Sequence, residues 1–401
     1  MTDNQKNLKN EGFFTLSGDR VKDYEKEAVF HIIKNSHPVS QKQILGSFNI
    51  RPADLSHAIK ELLQDGLIQK CPEMTNRYRG RPEIFFQPKH DRLVSLAVYT
   101  DSWNFYAIAI DLMGNIIHED RCSTTPAEHM DELFKKQKDL INRLRTQLPP
   151  DSEILGAGIS LPGNVDTEKS LWKESHRWPH VCDLDYKKLE KALGIPIVLY
   201  RDLDAVLLHE LMLVPETKDE LVILLHWGLG LGMAFAYRGT IVRSNHGRFG
   251  TLGYIQFDPR QKNHVYTGIL DRQTSLWKLT KVVRRRFPKV AIDEREFADL
   301  IRRDDFNDIP EFKNAIEYVG LALRDICTIF YPDRIFLLSP FAENQKILKQ
   351  IRTAFVSGHL IDDLQKKIPL SPVANGYRGC IYGSTRAIFE NGLRKYLKAR
   401  Y

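Results

Sequence analysis

One succession of segments occurs twice in this chain, and it limits the fold more than any other feature. Residues 93–121 read as three strands joined by tight turns: LVSLAVYT, NFYAIAI, then NIIHEDR after the turn at Asp111-Leu-Met-Gly114. A helix near 130–147, a strand at 153–160, a helix at 185–193 and a strand at 196–200 follow. A second set opens at 220 with ELVILLHW and continues through LGMAFAYRGTIV. Apolar runs of strand length alternating with helical stretches belong to the α/β class. The repeated opening implies two lobes built on one plan. At roughly 100–200 residues per domain, 401 residues make two to three domains.

A different kind of segment precedes the first lobe. Residues 22–35 place Tyr24, Val29, Ile32 and Ile33 on one helical face. His37-Pro38 breaks that helix, and Ser40 with Gln43 forms a capping box for a short helix ending near Gly46. The segment SFNIRP is a turn. Pro52 suits the first position of the next helix, with Asp54 near its positive end, and Gly66 terminates the element after Gln64. Leu55, Ile59, Leu62 and Leu63 share one arc of that helix. Ala53, Ser56, His57, Lys60 and Gln64 share the other.

Short helix, turn and longer helix make a helix-turn-helix, whose second helix reads the major groove. The next segment, LIQKCPEMTNRYRGRPEIFFQ, reads as two strands with a basic tip, a wing. Residues 66–90 hold five basic groups (Lys70, Arg77, Arg79, Arg81, Lys89) against Glu73 and Glu83. In Arg79-Gly80-Arg81-Pro82 the glycine permits close backbone approach and the proline keeps the chain extended. Such paired arginines suit a narrow A·T-rich minor groove. The predicted DNA-contacting set is Arg51, Ser56, His57, Lys60, Arg77, Arg79 and Arg81. A three-helix bundle with an ordinary hairpin and a solvated loop is the alternative reading.

Composition agrees with a soluble globular chain. Hydrophobic residues are 42%, charged residues 27%, and net charge is +7. No apolar run of about 18 residues occurs, so no membrane span is expected. The polar start MTDNQKNLKNEGFF lacks a secretory apolar core, which makes the cytoplasm the expected compartment. The five cysteines (Cys71, Cys122, Cys182, Cys327, Cys380) form no CxxC or metal spacing, and most are expected to be reduced core thiols.

Four stretches carry a family resemblance. They are GAGISLPGNVD ending at Asp166, LGIPIVLYRDLDAVLLHE (193–210), ILLHWGLGLGMAFAYRGTIVRS (223–244) and GTLGYIQFDP (250–259). In order and spacing the chain resembles the ROK family of repressors, uncharacterised frames and sugar kinases. Within it, the chain looks like the repressor branch, which carries the same basic wing. The resemblance implies a winged helix-turn-helix followed by a two-lobed actin-like, sugar-kinase (ribonuclease H-like) body. It implies a flexible terminus over 1–18, a DNA-binding domain over 19–90 and lobes over 91–201 and 202–383, with helix 384–401 packing back on the first lobe.

Departures from the family's kinases bear on function. Their first phosphate loop, Asp-x-Gly-Gly-Thr, is here Tyr99-Thr100-Asp101-Ser102-Trp103. Their second, Gly-Thr-Gly, is Gly228-Leu229-Gly230, and the adenosine stretch is Leu338-Ser339-Pro340-Phe341. Three ATP elements are altered together, so no phosphoryl transfer and no cofactor are expected. Gly228, Gly230 and Gly232 alone fit a glycine-flanked strand turn equally well.

The kinase base survives as Asp202 in Arg201-Asp202-Leu203-Asp204, where it can accept hydrogen bonds from a sugar hydroxyl. Alternatively Asp202 is the N-cap of a helix beginning near Asp204. Arg201 pairs with Asp202 or binds an anionic effector. The sugar-contacting Glu-x-Gly-His motif reads Thr251-Leu252-Gly253-Tyr254, and 255–275 has no cysteine, so no zinc is expected. Asp271 matches a further sugar-contacting acid, while Glu174, His176 and Trp178 fall on the loop that closes over sugar in the family. The expected effector set is Gly163, Asn164, Glu174, His176, Arg201, Asp202, Thr251, Tyr254 and Asp271. The expected partners are double-stranded operator DNA, a sugar or sugar phosphate, and a second copy in a homodimer or dimer of dimers. A sugar kinase with a DNA-binding appendage is one alternative function; a regulator controlled by a protein partner is another.

Overall fold

The computed structural model describes residues 20–71, 83–245, 250–255, 270–290, 293–304, 306–357 and 362–400. The chain opens with α1 (Val21–Ser36), β1 (Val39–Ser40), α2 (Gln41–Ser47) and α3 (Pro52–Gln64). The capping box before α2 forms: Gln43 N donates to Ser40 Oγ, and Ser40 N donates to the Gln43 side chain at 2.9 Å. Pro52 starts α3, and Gly66 takes the left-handed conformation just after it. β2 (Ile68–Lys70) and β3 (Phe85–Pro88) pair antiparallel as a hairpin stem. The tip arginines Arg77, Arg79 and Arg81 lie outside the described residues. The stem gains a third strand unforeseen in the sequence, because β1 pairs with β3. Pro38 ends the helical path and the cap at Ser40 needs extended backbone, so this two-residue link is free to join the sheet.

Two five-stranded sheets follow. β4 (Leu93–Asp101), β5 (Asn104–Asp111) and β6 (Ile116–Ser123) form an antiparallel set, and α4 (Met130–Arg145) leads to β7 (Glu153–Leu161), parallel to β4. The short strands β8 (Asn164–Asp166), β9 (Leu171–Glu174) and β10 (Leu184–Asp185) form a separate sheet. Then α5 (Tyr186–Leu193) and β11 (Ile197–Arg201) complete the order β11-β7-β4-β5-β6.

The second half begins with α6 (Asp202–Leu213), β12 (Leu221–Trp227), β13 (Leu231–Tyr237) and β14 (Thr240–Ile241). The helices α7 (Leu270–Thr274), α8 (Leu276–Val283), α9 (Glu294–Arg303) and α10 (Pro310–Phe330) lead to β15 (Arg334–Leu338). After α11 (Gln345–Val356) and β16 (Leu370–Pro372) the chain ends in α12 (Gly379–Leu397). This sheet runs β14-β13-β12-β15-β16, the order and strand sense of the first. Every residue of β4 is buried, as expected of a strand covered on both faces.

α12 crosses back to pack on α6 and the first sheet. A Cβ at Gly383 would lie 1.9 Å from Ala205 O, so only glycine allows this approach. The chain beyond α12 then reaches the N-terminal helices. Lys26, wholly buried, places Nζ 2.7 Å from Glu61 Oε2 and 3.3 Å from both Asp65 Oδ2 and Lys398 O. Ala399 N donates to Asp23 Oδ1 at 2.7 Å, Arg400 N donates to Glu61 at 3.0 Å, and the Arg400 guanidinium pairs with Asp65. The last residues are therefore clamped between α1 and the C-terminal end of α3.

The cysteines depart from expectation. Cys327 and Cys380 are buried, but Cys71 and Cys122 are half-buried and Cys182 is exposed; all five are free thiols. No helix among the described residues is long and apolar enough to cross a membrane.

Candidate functional site

A cavity of about 1080 Å³ opens between the two lobes. From the first lobe, Gly163 and Asn164 enter it after β7, Glu174, His176 and Arg177 at and beyond the end of β9, and Arg201 and Asp202 where β11 meets α6. From the second come His226, Thr251, Tyr254 and Asp271. The nine effector positions picked out in the sequence thus share one cavity.

Local backbone explains how they meet. Gly163 has φ +91°, and a Cβ there would lie 2.3 Å from Glu174 O, so the turn presses against the end of β9. The next residue, Asn164, is 8% exposed, and its Oδ1 has no hydrogen-bond partner among the described residues. A buried acceptor left open on a cavity wall is a place for a donor from a ligand or water.

Asp202 is the first residue of α6 rather than the cap of a helix starting near 204. Its Oδ1 accepts the Leu203 N–H at 2.8 Å. Burial raises the pKa of its carboxyl, opposed by Arg177, His226 and Arg201. Arg201 does not pair with it. The Arg201 guanidinium instead donates to Asp204 Oδ1, at 3.0 and 2.6 Å, and to Met233 O at 3.0 Å. Asp204, buried and also held by Arg243 at 2.9 Å, is the structural carboxylate of this pair, leaving Asp202 on the cavity wall.

On the opposite wall Asp271 Oδ1 accepts the Leu231 N–H at 2.7 Å, and burial raises its pKa also. Tyr254 Oη lies 3.1 Å from His176 Nε2, a contact that joins the lobes at the rim. Glu174, Thr251 and Tyr254 are exposed. Trp178 is corrected: it is fully buried, stacked 5.4 Å from Phe105 in the core beneath the first sheet, and does not line the cavity.

Four residues escaped the sequence reading: Arg177, His226, Glu294 and Tyr377. Arg177 is buried; its guanidinium donates to Ser102 O at 3.3 Å and lies 3.9 Å from Glu294 Oε1. Glu294 Oε1 also accepts the Leu229 N–H at 2.7 Å and lies 3.7 Å from His226 Nε2, which contacts Tyr377 Oη at 2.6 Å. Burial alone would raise the Glu294 carboxyl; His226, Arg177 and the Leu229 N–H overcome it and bring the pKa to about 2. His226 sits inside a quoted stretch as an apparent strand residue. Glu294 belongs to a helix start with no motif, and only the fold brings it to 229.

The segment matching the first kinase phosphate loop is a tight turn between two strands. β4 continues through Asp101 and turns at Ser102-Trp103 into β5, as a two-residue hairpin with Ser102 at φ 53°. Tyr99 is buried and stacks 5.2 Å from Tyr106, over whose ring Arg295 sits at 4.4 Å while pairing with Asp101.

The N-terminal face is simpler. On α3, Leu55, Ala58, Ile59 and Leu62 are buried, while Ala53, Ser56, His57, Lys60 and Gln64 are exposed. Arg51 precedes the helix with an exposed side chain 2.6 Å from Asp54.

The model of the ROK family matches residues 101–381. The chain belongs to the ROK family. Among similar curated proteins, the xylose repressor of Bacillus spizizenii is 22% identical, over 92% of this chain and 95% of its own length. The DNA-binding transcriptional repressor Mlc of Escherichia coli is 22% identical, over 82% and 84%. Among solved structures, a ROK family transcriptional regulator described as a homologue of E. coli Mlc covers 94% of this chain and 99% of its own, at TM-score 0.68 and 19% identity. A ROK family glucokinase from Streptomyces griseus, solved with glucose and AMPPNP, covers only 73% of this chain and 97% of its own, at TM-score 0.59 and 17% identity. These structures share the fold with this ROK chain.

Proposed function

We propose that this ROK chain is a DNA-binding transcriptional regulator of carbohydrate genes, acting as a repressor. Its N-terminal domain reads an operator, and its interlobe cavity senses a sugar without phosphorylating it. The observation that carries this reading is the split of α3, whose apolar arc is buried while Ser56, His57 and Lys60 face solvent. That is how a recognition helix presents itself to a major groove. Similar proteins named xylose repressor and N-acetylglucosamine repressor supply the carbohydrate context. Paired half-sites call for a homodimer, so a sugar that changes dimer geometry changes the half-site spacing the protein fits.

The test begins with DNA enriched from a random-sequence pool by the purified protein. Lys60→Ala and His57→Ala should change which sequences are enriched, since a lost base contact relaxes discrimination at one position by about 1–3 kcal/mol. Arg79→Ala with Arg81→Ala should weaken binding to all sequences and flatten its dependence on salt by roughly two counterions. A double variant with wild-type affinity and salt slope would refute the wing's role.

The body is proposed to be no kinase. Phosphoryl transfer requires a positioned ATP phosphate as well as a base. Bulky Tyr99 and Trp103 stand in the first phosphate loop's segment, and Glu294 takes the Leu229 N–H of the second. ATP consumption with hexoses, pentoses and amino sugars should stay at background; turnover that disappears in Asp202→Asn would establish a kinase instead.

Zinc is expected to be absent as well. A structural site needs four N or S ligands, and residues 255–275 contain no cysteine. Elemental analysis should find far less than one zinc per chain, and a chelator should leave the melting temperature unchanged.

A further inference from the structure

Behind the cavity-lining residues Arg177, His226 and Leu229 lies an anion that belongs to the chain. The Glu294 carboxylate is almost fully buried, and three groups converge on its Oε1: the Leu229 N–H, the His226 ring and the Arg177 guanidinium. A backbone N–H in a glycine-flanked turn, with a guanidinium and an imidazole beside it, is the donor set proteins use for phosphate oxygens. The fit is close, since a Cβ at Gly228 would lie 2.4 Å from that oxygen and 2.5 Å from His226 Nε2.

The same residue also links the lobes. Glu294 N donates to Ser102 Oγ at 2.8 Å, in the turn between β4 and β5, and Arg295 pairs with Asp101 beside it. α9 is anchored to the second lobe by Asn344 Nδ2, which donates to Ile301 O at 3.3 Å. The start of α9 thus grips both lobes and fills the anion position at once.

We propose that Glu294 is a tethered anion standing where a ligand's phosphate would sit, and that the cavity therefore selects an uncharged, polyhydroxylated ligand. The second half rests on the sugar-sensing reading above. With the anion position filled, the cavity cations Arg177 and Arg201 are already engaged by Glu294 and Asp204, and buried Asp202 and half-buried Asp271 present carboxylates beside the open Oδ1 of Asn164. Hydroxyl groups satisfy acceptors, whereas a phosphate beside one buried and one half-buried carboxylate meets like charge in a poorly screened site. Arg272, Lys278 and Lys281 at the rim are exposed, so their pull on an anion is screened by water and salt.

The first arm of the test uses inorganic phosphate as the probe. Glu294→Ala should show a melting temperature that rises saturably with phosphate, because a ligand of the folded state stabilises it. The wild type should show no such rise. An equal rise in the wild type, or a folded Glu294→Ala protein that ignores phosphate, overturns the tethered-anion assignment.

The second arm uses the wild-type chain and so decides the matter even if Glu294→Ala does not fold. Glucose, xylose and N-acetylglucosamine are each compared with their phosphate esters. A neutral sugar should raise the melting temperature more than its ester. An ester that stabilises more than its parent overturns the proposal while leaving the sensor reading intact. No stabilisation by any of the six counts against the sensor reading itself, and the phosphate arm then decides the role of Glu294 alone.

Discussion

Lys26→Met should lower the unfolding free energy by about 3–5 kcal/mol, the scale of a buried ion pair broken on one side. Lys26 has no solvent exposure and is held by Glu61, Asp65 and the Lys398 carbonyl. Methionine keeps most of the volume but leaves two buried carboxylates short of their cation. Arg400 compensates only in part, because its guanidinium reaches Asp65 and only its backbone N–H reaches Glu61. Urea unfolding followed by circular dichroism measures the loss. A change below about 1 kcal/mol, the value of an exposed pair, would mean that the clamp opens readily in solution. The effect extends to function, because Glu61 lies on α3 and the tail continues from α12, which packs on α6 at the cavity.

Asp202→Ala should weaken sugar binding by roughly 1.5–3 kcal/mol, about 10- to 150-fold, the scale of a hydrogen bond to a charged group. Arg201 is engaged by Asp204, so Asp202 is the carboxylate at this junction left to a ligand. Calorimetry with the aldose that most raises the melting temperature reads the loss directly. DNA affinity without sugar should stay within about twofold of wild type, a difference below 0.5 kcal/mol. The phenotype is a regulator that holds its operator and ignores its signal. Wild-type sugar affinity in this variant would reduce Asp202 to a helix-start residue that binds the Leu203 N–H.

Patterns that are local in sequence were legible before the structure. The capping box at Ser40 and Gln43, Pro52 at the start of α3 and the two apolar arcs depend on spacings of three or four residues. The strand-rich opening of each lobe was legible because β4, β5, β12 and β13 are long apolar runs bounded by turns. The nine cavity positions came from a family resemblance, and they converge because strand ends of both lobes face one cleft.

What escaped depends on contacts between distant residues. Glu294 meets Leu229 across 65 positions, and Arg177 meets Ser102 across 75. Neither has a motif, and a lone glutamate at a helix start reads only as favourable to the helix dipole. Trp178 was misplaced because the resemblance put the whole loop over the sugar, whereas the chain bends at 176–178 and the indole packs into the core against Phe105 and Trp172. The pairing of Arg201 with Asp204 rather than Asp202 was equally invisible, since both acids lie within reach along the chain and only the folded geometry shows which one the guanidinium meets.

The most direct measurement of the central claim is fluorescence anisotropy of the full chain on DNA enriched from a random pool, with and without the aldose that most stabilises the protein. Regulator and sensor together predict sequence-selective binding whose affinity changes by at least about fivefold with sugar, the lower end of ordinary allosteric coupling. Equal affinity for enriched and scrambled DNA, unchanged by the sugar, would contradict the account.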